Sequence, residues 1–390
     1  MIPAERFREA LPTPWPEDRI VVVQDVESAF REIGERSFDI VVADSSVSDD
    51  HGISLLEGIK QSSPASLRIL LADKADRENA LRVSALAHQV VSHSPDLSAL
   101  AEAIGRLLRV RGRLHSDAME RVLRGISQLP ALPQVYSRLV QILADPEADM
   151  TDIARIVEQD PAITVRALRL VNSAFFALPR RINRIQPALI YLGINTVKSL
   201  VLSLEVFRPT GPMERVTSFS LPQEQRHALL TSSTASGILG DKELADEVFL
   251  AGLLHDFGKL VLATHFPDRW EMALRFAQEE NRPLHVVEKD HFGVTHADIG
   301  GHVLSLWGLP SRVVEAVTLH HDPGCIHGNR FDVLDAIQVA DVLVMEAEES
   351  RLFDEHLDLA RLKKLGVTAN LSDWREVASR IASKGIPDLS

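Results

Sequence analysis

The stretch Phe249-Leu-Ala-Gly-Leu-Leu-His-Asp-Phe-Gly-Lys-Leu-Val-Leu262 is an apolar run interrupted by three ionisable residues. Leu250, Leu253, Leu254, Phe257, Leu260, Val261 and Leu262 cover most of a helical circumference. Such an all-round pattern marks a buried helix rather than a surface one. His255, Asp256 and Lys259 stand in its middle, and on a core helix they cost stability unless paired or bound. His255 and Asp256 lie about 100° apart around a helix, so both can converge on one ion, with Lys259 one turn from His255. The dipeptide alone has little weight. With 15 histidines about one His-Asp arises by chance, and a second, His321-Asp322, is present.

The surroundings carry the signal. From Leu129-Pro-Ala-Leu-Pro133 onward strand signals almost vanish, and around a dozen helices separated by short Pro/Gly breaks predict an all-α domain. The spacing predicts, among others, helices over Gln223–Leu239, Glu247–His265, Trp270–Gln278, His296–Trp307, Ser311–His321 and Val333–Ala347. His227 lies 28 residues before His255, His296 opens one of these helices, and His320-His321 closes another. Asp341 is a further ionisable group in an apolar helix, Ile337-Gln-Val-Ala-Asp-Val-Leu-Val344. Histidines and carboxylates donated by consecutive helices to one interior point are how helical folds build metal sites.

Residues 1–112 alternate instead. Arg19-Ile-Val-Val-Val23, Phe38–Asp44, Leu67–Ala72 and Gln89–Ser92 predict buried strands, with helices expected over Ala4–Leu11, Ser28–Glu35, around Leu55–Ile59 and over Glu78–Leu86. That rhythm implies a parallel, doubly wound sheet, whose functional residues lie beyond the carboxyl ends of its strands. Asp44 is so placed. From Leu97 helical spacing continues to Gly125, predicting a connecting helix broken near Gly112 that can couple two domains or pair with its copy in a dimer. The expected organisation is an α/β domain over 1–112, a connecting helix over 113–128 and an all-α domain over 129–390.

Composition narrows the class. The chain of 390 residues, 45% hydrophobic and 25% charged, is that of a soluble multidomain protein. A net charge of −13 argues against direct DNA binding, which needs a basic face. The single cysteine, Cys325, excludes an intrachain disulfide and a Cys-based zinc finger. No apolar run is long enough to span a bilayer, and Met1–Glu9 has no signal-peptide core. A cytoplasmic location is expected, with no membrane partner.

Over roughly 95 residues the N-terminal half resembles a response-regulator receiver domain, a flavodoxin-like fold in which an Asp at the end of the third strand is phosphorylated. The resemblance implies a phosphorelay setting with Asp44 at the phosphoacceptor position. Yet Asp25 lies only 19 positions before Asp44, so Ile20–Val23 fits the family's second strand and the first strand with its acidic pair is missing. Ala72 replaces the family's Ser/Thr and His93 its Lys. Asp44 thus lacks the ligands, hydroxyl and ammonium that stabilise a phosphoryl group. A degenerate pseudo-receiver is expected, with Asp44 inactive as a phosphoacceptor and capping a loop.

Residues from about 129 to 345 resemble the HDOD domain, a helical relative of the HD-type metal-dependent phosphohydrolases. The resemblance rests on Leu129–Pro133, Asp160-Pro161, Leu170-Val-Asn-Ser173, Tyr191-Leu-Gly193, Ala251–Lys259, Trp307-Gly-Leu-Pro310 and His320-His321. It implies a regulatory signal-transduction module, mostly without catalysis, that binds a partner protein or nucleotide ligand. Carried over residue by residue from the HD superfamily, His227, His255, Asp256 and Asp341 match the basic metal-ligand set. His296, His320 and His321 match the extra histidines of the cyclic-dinucleotide phosphodiesterases, and Lys259 the lysine near a substrate phosphate. The Gly-Tyr-Pro signature of those enzymes is absent after His320-His321. Three readings stay open: a non-catalytic module that binds a partner protein or ligand, a metal-dependent phosphohydrolase acting on a nucleotide or cyclic dinucleotide with Lys259 as its catalytic lysine, and a vestigial hydrogen-bonded cluster; a homodimer is expected. The implied cofactor is a divalent ion: Fe, Mn, Zn or Mg. A Lys259–Asp256 ion pair is the metal-free alternative.

Overall fold

The computed structural model describes residues 20–47, 52–63, 66–72, 86–87, 89–92, 97–126, 129–143, 148–176, 178, 181–208, 211–322, 330–349 and 356–386. The expected helix over Ala4–Leu11, most of that over Glu78–Leu86, and Arg19, His93 and Cys325 lie outside them. The chain divides into two compact units, Met1–Arg111 and Gly112–Ser390.

Among the described residues, the first unit holds three parallel strands in sequence order, β1 (Ile40–Asp44), β2 (Leu67–Ala72) and β3 (Gln89–Ser92). Ile40 pairs with Leu67, and Ile69 with Gln89. Successive side chains of β2 point to opposite faces. Leu70 packs with Ala29, Ala43, Leu56 and Ile59 on one face, while Ile69 and Leu71 pack with Val91, Leu100, Ile104 and Leu107 on the other. Both faces are therefore covered, as a parallel sheet requires. The strand expected over residues 19–23 does not form: Ile20–Val23 carry no strand, and Val22 and Val23 are exposed. A β-branched run becomes a strand only when a neighbour completes its ladder, and among the described residues none pairs with it. The connecting helix breaks at His115–Ser116 rather than at Gly112, because Ser116 caps a second helix, Asp117–Arg124, by accepting from Met119 N–H.

The second unit is helical. Its helix starts follow local chemistry. Asp160 accepts from Ile163 N–H with Pro161 in the first turn, and Thr295 and Asp298 form a reciprocal capping box. The Leu129–Pro133 stretch is tied down by Trp307, whose indole N–H donates to Pro130 O at 2.9 Å. Asn172 donates to Leu168 O and Ile182 O and accepts from Ile182 N–H, tying the end of its helix to Ile182. Trp270 and Phe207 are among the largest fully buried side chains. The helix expected over Glu247–His265 is instead two, Ala245–Leu254 and Phe257–His265, joined by a turn at His255–Asp256. A further helix, Leu284–Phe292, has no counterpart in the sequence reading. Among the described residues, no helix is long and apolar enough to cross a membrane.

Candidate metal centre

Two glycines set the position of the His255–Asp256 turn. A Cβ on Gly252 would sit 2.3 Å from Ser232 Cα, and one on Gly258 would sit 1.9 Å from His296 O. Both short helices thus lie backbone-to-backbone against neighbours, the Leu221–Leu239 helix on one side and the His296–Leu306 helix on the other. Such crossings admit only glycine. Asp256 adopts φ −98° and ψ 8°, the sparsely populated bridge region in which active-site residues recur. The turn, rather than the 100° step of a continuous helix, brings His255 and Asp256 together.

All seven histidines and acids singled out by sequence in this half converge there. Asp256 Oδ1 lies 3.0 Å from His296 Nε2 and 3.8 Å from His320 Nε2. Its Oδ2 lies 3.2 Å from His255 Nε2 and 4.0 Å from His227 Nε2. Asp341 Oδ1 is 2.9 Å from His227 Nε2 and 3.7 Å from His255 Nε2. His321 Nε2 is 3.1 Å from His296 Nε2. Two donor groups result, Asp256/His296/His320/His321 and His227/His255/Asp256, the ligand atoms of each lying within 4.8 Å of one another. Asp256 belongs to both. Lys259 Nζ donates to Asp256 Oδ2 at 2.6 Å and to Glu224 Oε2 at 3.3 Å. The metal-free ion pair foreseen from sequence is therefore present, but it engages only Oδ2 and leaves Oδ1 and Asp341 to the imidazoles.

The outer nitrogens of the rings are held from behind. His255 Nδ1 donates to Gly252 O and His320 Nδ1 to Val317 O, each at 2.8 Å. Carbonyls only accept, so in the neutral ring these bonds place the lone pair on Nε2, pointing inward. Neither His255 Nε2 nor His320 Nε2 has an aligned hydrogen-bond partner, although both are buried. Buried ring nitrogens without an aligned partner are costly, and a metal ion is the ligand that such anchored imidazoles suit.

The electrostatics call for positive charge. Burial alone would depress the His227, His255 and His296 imidazoles, but their carboxylate neighbours lift them to about 10, 9 and 9. Asp341 and Glu348 act on His227, Asp256 and Asp341 on His255, and Glu288 and Asp256 on His296. Burial favours neutral carboxyls at Asp256 and Asp341, yet the facing imidazoles, with Lys259 at Asp256, hold both well below their usual range. Burial and the charge of His255 push His320 down to about 3, so it stays neutral and able to ligate. In the metal-free protein, protons on three rings supply the charge that a dication would supply. The donor set fits a divalent metal.

Three partners of the histidines escaped the sequence reading. Glu288, fully buried, accepts from both His296 Nδ1 and the His296 main-chain N–H. Glu348 Oε2 stands 3.4 Å from His227 Nδ1, and His285 stacks on His321 with ring centroids 4.2 Å apart. Their polar surroundings hid them, although Pro283 before and Gly293 after the Leu284–Phe292 helix were readable stop signals. In the first unit Asp44 accepts from the Ser46 N–H at 2.9 Å and the Ser46 hydroxyl at 2.7 Å, a loop-capping geometry.

The HDOD domain family matches residues 129–323, half of the chain. A curated relative, an uncharacterized protein of Treponema pallidum (strain Nichols), is 28% identical over 200 residues. The match takes in 50% of this chain and only 38% of that protein's length. Two solved structures share the fold. One is an HDOD domain protein of unknown function from Geobacter sulfurreducens, with TM-score 0.54 and 19% identity over 70% of this chain and 99% of that one. The other is a candidate phosphohydrolase from Shewanella amazonensis SB2B, with TM-score 0.53 and 21% identity over 69% of this chain and 94% of that one.

Proposed function

The chain belongs to the HDOD domain family, and from that premise we propose that it is a signal-transduction protein whose helical unit binds divalent metal. The observation that carries the proposal is the pair of donor groups sharing Asp256, with the Nε2 atoms of His255 and His320 buried and lacking an aligned hydrogen-bond partner. His227, His255 and Asp256, with Asp341 against them, would hold one ion; Asp256, His296, His320 and His321 would hold a second. Such a mainly imidazole set suits Fe, Mn or Zn better than Mg. A bound ion supplies Lewis acidity toward phosphate oxygens. Lys259, 17% exposed at the edge of the cluster, adds an ammonium for the same anion. The ligand that fits is therefore a nucleotide or another phosphate ester. No Gly-Tyr-Pro signature follows His320-His321, which supports a binding and relay role over turnover. In this proposal the N-terminal unit is a pseudo-receiver that docks a protein partner or a second copy, with Asp44 capping its loop rather than accepting phosphate.

A second reading, a metal-dependent phosphohydrolase, draws on Lys259 beside the shared carboxylate. Metal analysis of protein purified without chelator, followed by a panel of phosphodiesters and cyclic dinucleotides, separates the two. We expect one or two transition-metal ions per chain and no turnover. Turnover that is lost in Lys259→Ala would establish the hydrolase instead. Absence of stoichiometric metal, with melting indifferent to EDTA, would dismiss both.

A further inference from the structure

We infer that Glu288 is a positioning residue that dictates which nitrogen of His296 faces the metal centre; the inference rests on the metal-binding reading above. Four features of the geometry carry it. Glu288 is fully buried on the Leu284–Phe292 helix, and His296 is buried on the helix that follows. Both carboxylate oxygens of Glu288 lie 2.8 Å from His296 Nδ1. Glu288 Oε2 also accepts the main-chain N–H of His296 at 2.7 Å. On the opposite edge of the ring, His296 Nε2 lies 3.0 Å from Asp256 Oδ1 and 3.1 Å from His321 Nε2, within one donor group.

A carboxylate can only accept, so Glu288 keeps the proton on Nδ1 and leaves Nε2 free to ligate. Its negative charge also strengthens the ring as a donor. Three other rings of the cluster use weaker or wetter anchors. His255 and His320 are held by neutral main-chain carbonyls, and Glu348 stands 3.4 Å from His227 and is 29% exposed. Glu288 is the buried charged anchor among them.

The double engagement makes a sharp test available. In Glu288→Gln the carboxamide has one acceptor oxygen and one donor NH2. The main-chain N–H of His296 cannot give up its proton, so it claims the oxygen. That oxygen also lies beside Nδ1, but it is neutral, and the NH2 on the other arm faces Nδ1 and can only donate. The anchor thus loses its charge and half its acceptors, the ring proton shifts toward Nε2, and His296 becomes a weaker ligand at unchanged volume.

The experiment is zinc titration of the full chain, with melting of the metal-free protein as a control. We expect wild type to bind zinc and E288Q to bind it at least about 10-fold more weakly at the His296 site, in the range typical for anchors behind metal ligands. Its metal-free melting should fall by several degrees, because the buried His296 ring loses the carboxylate beside it, so zinc binding is read against each protein's own metal-free, folded state. Wild-type binding with equal affinity in E288Q would overturn the role of Glu288 while sparing the metal site. Failure of wild type itself to bind zinc would overturn both. A second measurement needs no variant. In long-range proton–nitrogen NMR spectra of zinc-loaded wild type, His296 must show a protonated Nδ1 and a proton-free Nε2. The reverse tautomer would refute the inference even if E288Q failed to fold.

Discussion

Replacing Asp256 by Asn tests the shared carboxylate directly. The substitution keeps the shape but removes the charge that faces Lys259 Nζ at 2.6 Å, His296 Nε2 at 3.0 Å and His255 Nε2 at 3.2 Å. Two consequences separate by condition. Without metal, a buried ion pair loses one member, which typically costs about 3–5 kcal/mol. Lys259 keeps Glu224 at 3.3 Å and is partly exposed, so the lower end applies. In a helical unit of this size, about 3 kcal/mol corresponds to a fall in melting temperature of roughly 6–12 °C. With metal, wild type gains about 2.7 kcal/mol when free ion stands at 100 times its Kd, a rise of roughly 5–11 °C that EDTA removes. Asp256→Asn should show no such rise, since both donor groups lose their common ligand. The assay is calorimetry of wild type and variant with EDTA and with added Mn²⁺ or Zn²⁺. An Asp256→Asn protein that melts within 2 °C of wild type in EDTA, and still gains stability from metal, would refute the reasoning.

Gly258→Ala places a methyl 1.9 Å from His296 O and should lower stability by about 3 kcal/mol, with weaker metal binding because the His296–Leu306 helix must shift; melting and metal titration check it. In EDTA, stability should fall as pH rises from about 6.5 to 9. His255 and His296 titrate near 9 when folded against 6.5 when free, so their contribution is complete below 6.5 and lost through 9. With metal the slope should reverse, because protons compete for the imidazoles; a metal-free melting curve that climbs over this window would contradict the assignment. Acetyl phosphate with Mg²⁺ should leave Asp44 unmodified, and stoichiometric labelling detected by mass spectrometry would restore it as a phosphoacceptor.

The helical half was legible because its information is local. Apolar spacing, Pro161 after Asp160 and the Thr295 cap all act within one or two turns, and the described helices follow them. The first unit was legible only in part, for the complementary reason. Ile20–Val23 has the composition of a strand, but a ladder is a non-local bargain that no property of those four residues decides. Leu67–Ala72 forms a strand because β1 and β3 lie on its two edges.

Within the site the same distinction separates ligands from their supports. His255, Asp256, His320 and Asp341 drew attention because an ionisable residue on an apolar helix is anomalous in its own sequence window. Glu288 drew none. It sits in Val287-Glu-Lys-Asp-His291, where a charged run reads as a solvated face, and only the tertiary fold turns one of those charges inward, against His296. The break at His255–Asp256 was equally silent, since Leu253 to Leu260 continue the apolar pattern across it. What interrupts the helix there is the backbone of two other helices pressing on Gly252 and Gly258. A metal centre of this kind announces its ligands one by one, while the geometry that makes them a centre is written in the residues they pack against.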